Sequence, residues 1–292
     1  MPTINKSEID ALIDLLDDPE EEVFLGVRGR ILTIGDPMIK PLETSWEEAN
    51  RNDLFRNRVE GILQQINLAS VINRLTAWMQ SQEKDLLDGV LIVARHRYPD
   101  LDEGKVRAKL ATMSQDIQSK LHKDMGYHDK VRTINRVVFE KHGLKRGKGG
   151  SNAAHTNYIN NILATGIGSP VGLAVVYQLL AEGSGIPIKG VNLPNHFMVG
   201  YTDEAGNNPT KVLFYVNVFD RGSVLQRSDI VDFLQKTNIP QKERYFMPCD
   251  NVGTILRLLS NLIDGYGKMG NETRVEELKT LRKLLGKNPE AE

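Results

Sequence analysis

Three residues, Ser169, His196 and Asn217, follow one another along the chain in an order that acyl-transfer chemistry uses. Ser169 opens a segment that reads as a helix, "GSPVGLAVVYQLLAEG", with Pro170 directly after it. His196 begins the strand-like run "HFMVGYTD", and Asn217 lies near the end of another, "KVLFYVNVF". A helix N-terminus gathers unpaired N–H groups and positive potential, which helps a nucleophile lose its proton. A histidine on a neighbouring strand can act as base, and an Asp or Asn one strand further can orient it. The same residues also have structural uses. Ser169 is a good N-cap, and Pro170 fits the first helical position. His196 can equally be a packing histidine bonded to Asn217. Asp220 offers an alternative carboxylate, although "FDRG" also reads as a turn.

Asn157, Tyr158, Pro170 and Asn195 join His196 and Asn217 as candidate residues of a binding cleft, with Tyr158 alternatively a core residue. His155 can approach the same cleft. Two histidines and a carboxylate can hold a metal, but no short ligand spacing such as HExxH is present, so no metal and no cofactor are expected. Cys249 is the single cysteine. That excludes an intrachain disulfide framework and multi-cysteine metal sites, and it reads as a small apolar filler.

The elements that must position these residues change type along the sequence. Residues 1–142 read as helical throughout. Ser7 can cap a first helix with Ile9, Leu12, Ile13 and Leu16 on its apolar face, and "DDP" leads to a second that ends at Gly35. The two resemble one HEAT-type hairpin. Further helices are read at 52–66, 68–80, 84–97, 103–124 and 129–142, with Asp102 as a cap and Trp46 and Trp78 on apolar faces. Residues 143–155 form a glycine-rich loop that can serve as a flap or as a connector. From 184 the pattern turns to β-branched and aromatic runs, giving three antiparallel strands with a hairpin turn at 203–208. Two helices, 251–268 and 271–286, end the sequence, the second capped by Asn271.

The chain has 292 residues, 40% hydrophobic and 26% charged, with 37 basic and 38 acidic side chains. This is a globular composition with no basic footprint for nucleic acid, and the cluster "KHGLKRGK" reads as a solvated loop. The acidic start "MPTINKSEIDALIDLLDDPEEEV" lacks the pattern of a signal peptide, and the longest nearly apolar run, Val171–Ala181, is too short for a membrane span. A cytoplasmic location is expected, with no membrane or nucleic-acid partner.

The motif blocks resemble a known family. "NYINNIL" (157–163), "GSPVGLAVVYQLLAEGSGIPIKGVNLPNHF" (168–197) and "FYVNVFDRG" (214–222), together with the "LLDDPEEEV" start and the "ILRLLSNLIDGYGKMGN" end, are similar to the SirB-one family. This is a bacterial branch of the transglutaminase-like superfamily, often followed by tetratricopeptide helices. The resemblance implies that Pro170 stands where active transglutaminases carry their cysteine. The family's Gly-x-Pro-x-Ser-Leu becomes Gly168-Ser169-Pro170-Val171-Gly172-Leu173. Its Pro-Gly-His-Phe becomes Pro194-Asn195-His196-Phe197, and its Asp-Pro-Phe becomes Asn217-Val218-Phe219. An amide can orient an imidazole but cannot stabilise an imidazolium as a carboxylate does.

The expected class is α+β, mostly helical, around a transglutaminase-like core with a small antiparallel sheet. The expected division is 1–142 helical, 143–240 core and 241–292 a tetratricopeptide-like hairpin. The leading functional expectation is a degenerate, non-catalytic domain that binds a protein or peptide partner. The alternatives are a hydrolase or acyl-transfer enzyme using Ser169, His196 and Asn217, and a scaffold whose helical ends assemble oligomers. The sequence leaves the oligomeric state open.

Overall fold

The structure, a computed structural model, describes residues 5–48, 52–147, 154–203 and 211–286. Residues 204–210, which hold most of the expected hairpin turn, and 148–153, within the expected glycine-rich loop, lie outside the described residues. The protein is α+β, mostly helical, with a small antiparallel sheet. Its internal contacts separate two units, Met1–Arg74 and Leu75–Glu292. The sequence expectation divides the chain at 142/143, where the pattern changes; the internal contacts divide it at 74/75, with Tyr127 and His128 stacked on Tyr201 and Phe214 within the second unit.

The first unit holds α1 (Lys6–Asp14), α2 (Glu21–Ile34), α3 (Ile39–Glu47) and the first part of α4 (Asp53–Gln80). Leu16, Ile31, Met38, Leu42, Phe55 and Val59 form its core. The cap of α1 is Asn5, whose Oδ1 accepts from Glu8 N–H at 2.7 Å; Ser7 lies within the helix. Pro19 precedes α2 rather than opening it, since Asp18 Oδ1 takes the Glu20 N–H at 2.8 Å and the helix starts two residues after the proline. Gly35, at φ 72°, ends α2. Trp46 is 37% exposed, its ring under the Arg56 guanidinium rather than in the core. The two helices read at 52–66 and 68–80 are one, because nothing between them is a helix breaker.

The second unit contains α5 (Leu86–Arg95), α6 (Glu103–Gln118), α7 (Tyr127–Asn135) with a π-helical turn (Arg136–Lys141), and α8 (Ile159–Thr165). Asp102 caps α6 through Lys105 N–H. A short parallel pair, β1 (Lys145–Arg146) with β2 (Ile167–Gly168), leads into α9 (Pro170–Gly183). Ten residues of α9 are buried, which marks a central helix apolar all round rather than a surface helix with one apolar stripe.

The sheet has four strands where the sequence shows three: β3 (Ile188–Leu193), β4 (His196–Thr202), β5 (Val212–Asn217) and the three-residue β6 (Ser223–Leu225), in that order and all antiparallel. Val191 pairs with Met198, Leu193 with His196, and Gly200 with Tyr215. Facing pairs share a side, so one face carries Val191, Leu193, Met198 and Tyr215. That face packs on Ile230 and Leu234 of α10 (Arg227–Lys236) and on Phe246. The alternate residues Val199, Tyr201, Phe214 and Val216 form the other face, where Tyr201 and Phe214 stack with each other and with Tyr127 and His128 of α7. α9 packs on β3 and β4, has no residue in the α10 cluster, and belongs to this second face. α11 (Asn251–Lys268) and α12 (Glu272–Leu285) form a hairpin turned at Gly270, φ 69°, with Asn271 capping α12.

Candidate functional site

Ser169 is the N-cap of α9. Its hydroxyl accepts from Gly172 N–H at 3.0 Å and donates to Asn157 Oδ1 at 2.6 Å. Both side chains are sealed, at 2% and 1% exposure. The helix start is further pinned by Ser169 N–H donating to the Thr156 carbonyl at 2.9 Å. That approach explains Gly172: a Cβ there would stand 2.7 Å from the Thr156 oxygen and 2.6 Å from Ile162 Cδ1. A serine at this place, as in the resembling family's pattern, would not fit.

Tyr158 is core. Its ring meets Tyr98 edge-on at 5.4 Å, its hydroxyl shares a 3.2 Å hydrogen bond with Tyr266, and burial pushes its pKa far up. Pro170 occupies the first turn of α9 and is half-buried.

His196 lies elsewhere. It starts β4 at the tip of the β3–β4 hairpin, beside Asn195 in the left-handed region at φ 61°, and both residues are exposed. Its ring packs on Phe233 of α10 at 4.6 Å. The strand pleat decides this: His196 shares a face with Met198 and Leu193, and α9 is on the other. The expectation that the start of α9 faces His196 is thus corrected. Desolvation against its neighbours, and then the Arg257 charge, pull the His196 pKa below the ordinary imidazole value.

Asn217 ends β5, the strand next to β4, but its side chain serves its own turn. Its Oδ1 accepts from Asp220 N–H at 3.3 Å, capping the short helical turn Val218–Asp220. Asn135 anchors the same turn by donating to the Gly222 carbonyl at 3.0 Å while accepting from Tyr177 Oη at 2.9 Å. No hydrogen bond among the described residues joins Ser169 to His196 or His196 to Asn217. The structure thus brings Ser169 and Asn157 together and leaves His196 and Asn217 in separate local roles.

Cys249 donates its backbone N–H to the Gly190 carbonyl at 2.8 Å, and its Sγ lies 3.5 Å from Thr254 Oγ1. Burial pushes its thiol up to about 11. His155 is exposed, and among the described residues no three His, Cys, Asp or Glu side chains are grouped to hold a metal ion. Nor is any helix among them long and apolar enough to cross a membrane.

Helix α9 and the four-stranded sheet fall within the segment that matches a known family. The description that matches, the transglutaminase-like superfamily, spans residues 104–260, more than half of the chain. The chain belongs to the transglutaminase-like superfamily. It is 23% identical over 222 residues to a UPF0162 protein of Xylella fastidiosa (strain 9a5c), covering 74% of this chain and 77% of that one. A second UPF0162 protein, from Xylella fastidiosa (strain Temecula1 / ATCC 700964), is 28% identical over 123 residues, 42% of this chain and 44% of its own length. Mouse F-box only protein 21 is 24% identical over 94 residues, 32% of this chain and 15% of that protein. No solved structure matches.

Within this superfamily frame stands Arg257, which is none of the candidate site residues named above. It sits in "ILRLLSNL", amid an apolar helix stripe, half-buried, with its Nε fully enclosed and without a hydrogen-bond partner. The available signal was the charge itself, set between two pairs of apolar residues on α11.

Proposed function

We propose that this protein is a degenerate, non-catalytic transglutaminase-like domain that acts as a cytoplasmic protein- or peptide-binding, regulatory module. The observation that carries the reading is the engagement of Ser169. A nucleophilic serine must pass its proton to a base. The acceptor 2.6 Å away is an amide oxygen, which is not a base near neutral pH, and the other side of the hydroxyl is taken by the helix start. Pro170, next along, has neither thiol nor hydroxyl. His196 packs on Phe233, and the Asn217 oxygen is used by Asp220 N–H. The order of the sequence blocks and the bacterial relatives support placement in the SirB-one branch, and the α11–α12 hairpin supports a tetratricopeptide-like end.

The test is incubation with a serine-directed phosphonate and a panel of activated esters and amides, wild type beside Ser169→Ala. No labelling at Ser169 and no turnover is the expected result. Stoichiometric labelling or turnover that disappears in Ser169→Ala would establish a serine enzyme instead. Capture of a protein partner by the tagged protein, lost with the exposed His196→Ala, is the positive arm.

A further inference from the structure

β3 is an edge strand, and the segment leading into α11 folds against it through the Cys249 N–H to Gly190 carbonyl bond. Between this segment, the β3–β4 turn and the start of α11 lies an open groove of ≈ 500 Å³. That volume is within the ~300–1,000 Å³ of ordinary small-ligand sites. Pro194 and Met247 give it apolar walls, and Arg244, Asp250 and Arg257 are its charged lining residues.

The charges do not balance within the groove. Arg257 makes no ion pair among the described residues, and Asp264, seven residues along the same helix, lends only distant charge. Its enclosed Nε has no acceptor, and burial pulls its pKa below the usual guanidinium value. A guanidinium presents a planar fork of donors that matches a carboxylate, and that of Arg257 lines the groove without a counter-charge paired to it among the described residues. Arg244 is exposed on the same groove and is also without an ion pair among the described residues. The one acid there, Asp250, is committed to the helix start, its Oδ1 accepting from Gly253 N–H at 2.7 Å. The α11 N-terminus adds further positive potential.

We infer that this groove binds a carboxylate of a peptide ligand, held by the Arg257 fork with Arg244 beside it, and seats a neighbouring apolar side group of that ligand against Met247 and Pro194. The inference rests on the peptide-binding reading above and gives the partner its chemistry: an acidic residue or a free C-terminal carboxylate next to an apolar residue. Cys249, in the wall of the groove and the only thiol of the protein, reports occupancy directly.

The experiment follows the rate at which 4,4′-dithiodipyridine modifies Cys249 in the full-length protein. The probes are an acetylated, amidated peptide Gly-Leu-Glu-Leu-Gly, its Gln counterpart, and the Gln counterpart with a free C-terminus. The Glu peptide is expected to slow modification saturably, and the blocked Gln peptide to bind about tenfold more weakly or not at all. Protection by the peptide with a free C-terminus would assign the carboxylate to a terminus; protection by the Glu peptide assigns it to an acidic residue. Arg257→Gln should weaken protection about tenfold or more, and Arg257→Lys, which keeps charge without the fork, should fall between. Arg244→Gln, on an exposed side chain, supplies a second variant should Arg257→Gln fail to fold, and it too should weaken protection. Equal protection by the blocked Gln peptide, no protection by any carboxylate peptide, or undiminished protection in a folded Arg257→Gln would each overturn the inference. If His196→Ala abolishes partner capture while no peptide protects Cys249, only this inference fails. If a peptide protects through Arg257 while Ser169 is labelled or turnover disappears in Ser169→Ala, the inference stands and the non-catalytic reading fails.

Discussion

Replacing Ser169 by alanine removes one oxygen from a site with almost no solvent access, and its cost can be worked from the two bonds lost. Loss of an N-cap costs about 0.5–2 kcal/mol. The second bond adds to this, because Asn157 is 1% exposed and its Oδ1 would be left without the hydroxyl 2.6 Å away. Orphaning a buried acceptor costs about 1–3 kcal/mol. Ser169→Ala should therefore destabilise the second unit by about 2–4 kcal/mol, more than a cap alone. Urea unfolding followed by tryptophan emission measures this cleanly in a Trp46→Phe background, since Trp78, 5% exposed, then reports on the second unit alone. Asn157→Ala and the double variant complete a cycle. The two sites share one hydrogen bond, so a coupling of about 1 kcal/mol or more is expected. Losses that simply add, or a Ser169→Ala cost below about 1 kcal/mol, would refute the claim that this hydroxyl is structurally committed.

Other outcomes follow from the same structure. His96 is 1% exposed and 2.8 Å from Glu277 Oε2; desolvation outweighs that bond and lowers its pKa. The unfolded state, with an ordinary imidazole near ~6.5, then binds more protons as pH falls, so stability is full above ~6.5 and declines below it. Urea midpoints between pH 5 and 7.5 should show this slope, and His96→Gln should flatten it; an unchanged slope would assign it to other groups. Gly222 has φ 78° and a Cβ there would lie 2.1 Å from Asn135 Oδ1, whereas Gly270, at φ 69°, has open space around it. Gly222→Ala should cost well over ~2 kcal/mol and Gly270→Ala about 1 kcal/mol, measured by the same unfolding assay; equal costs would show that the Asn135 contact does not constrain the turn. Alkylation of Cys249 should be slow near neutral pH and keep rising towards its pKa of about 11, whereas a plateau near the ordinary thiol value would contradict its burial.

Much of the local structure was written in short stretches of sequence. Asp102, Ser169 and Asn271 cap helices through bonds to the N–H three residues on, a contact that needs nothing beyond its own turn. The apolar sequence of α9 marked it as the central helix, and the β-branched runs marked β3, β4 and β5. The combined order of helix start, histidine strand and third strand was enough to reach the superfamily. The misses at this level also have local causes. Asn5 competes with Ser7 for the same cap, and β6 has only three residues, too few to display a period of two.

What each site residue does was decided only by long-range packing. The partner of the Ser169 hydroxyl comes from twelve residues upstream, on the far side of α8 and β2, and no periodicity encodes how those two elements bring it back to the start of α9. The face on which His196 stands depends on strand register and on which side α9 lies. A one-residue change of register would turn the ring over, and no residue type near His196 specifies that choice. Asn217, one strand from the histidine, has the place of an orienting amide, yet the tight turn beside it satisfies its oxygen first. Arg257 looks like a solvated charge on an amphipathic helix until the β3 edge and the segment ending at Cys249 close around it. The sequence alone determined which elements form, through bonds and periodicities spanning a few residues. Tertiary structure determined which side chains meet, because that depends on register and on segments tens of residues apart.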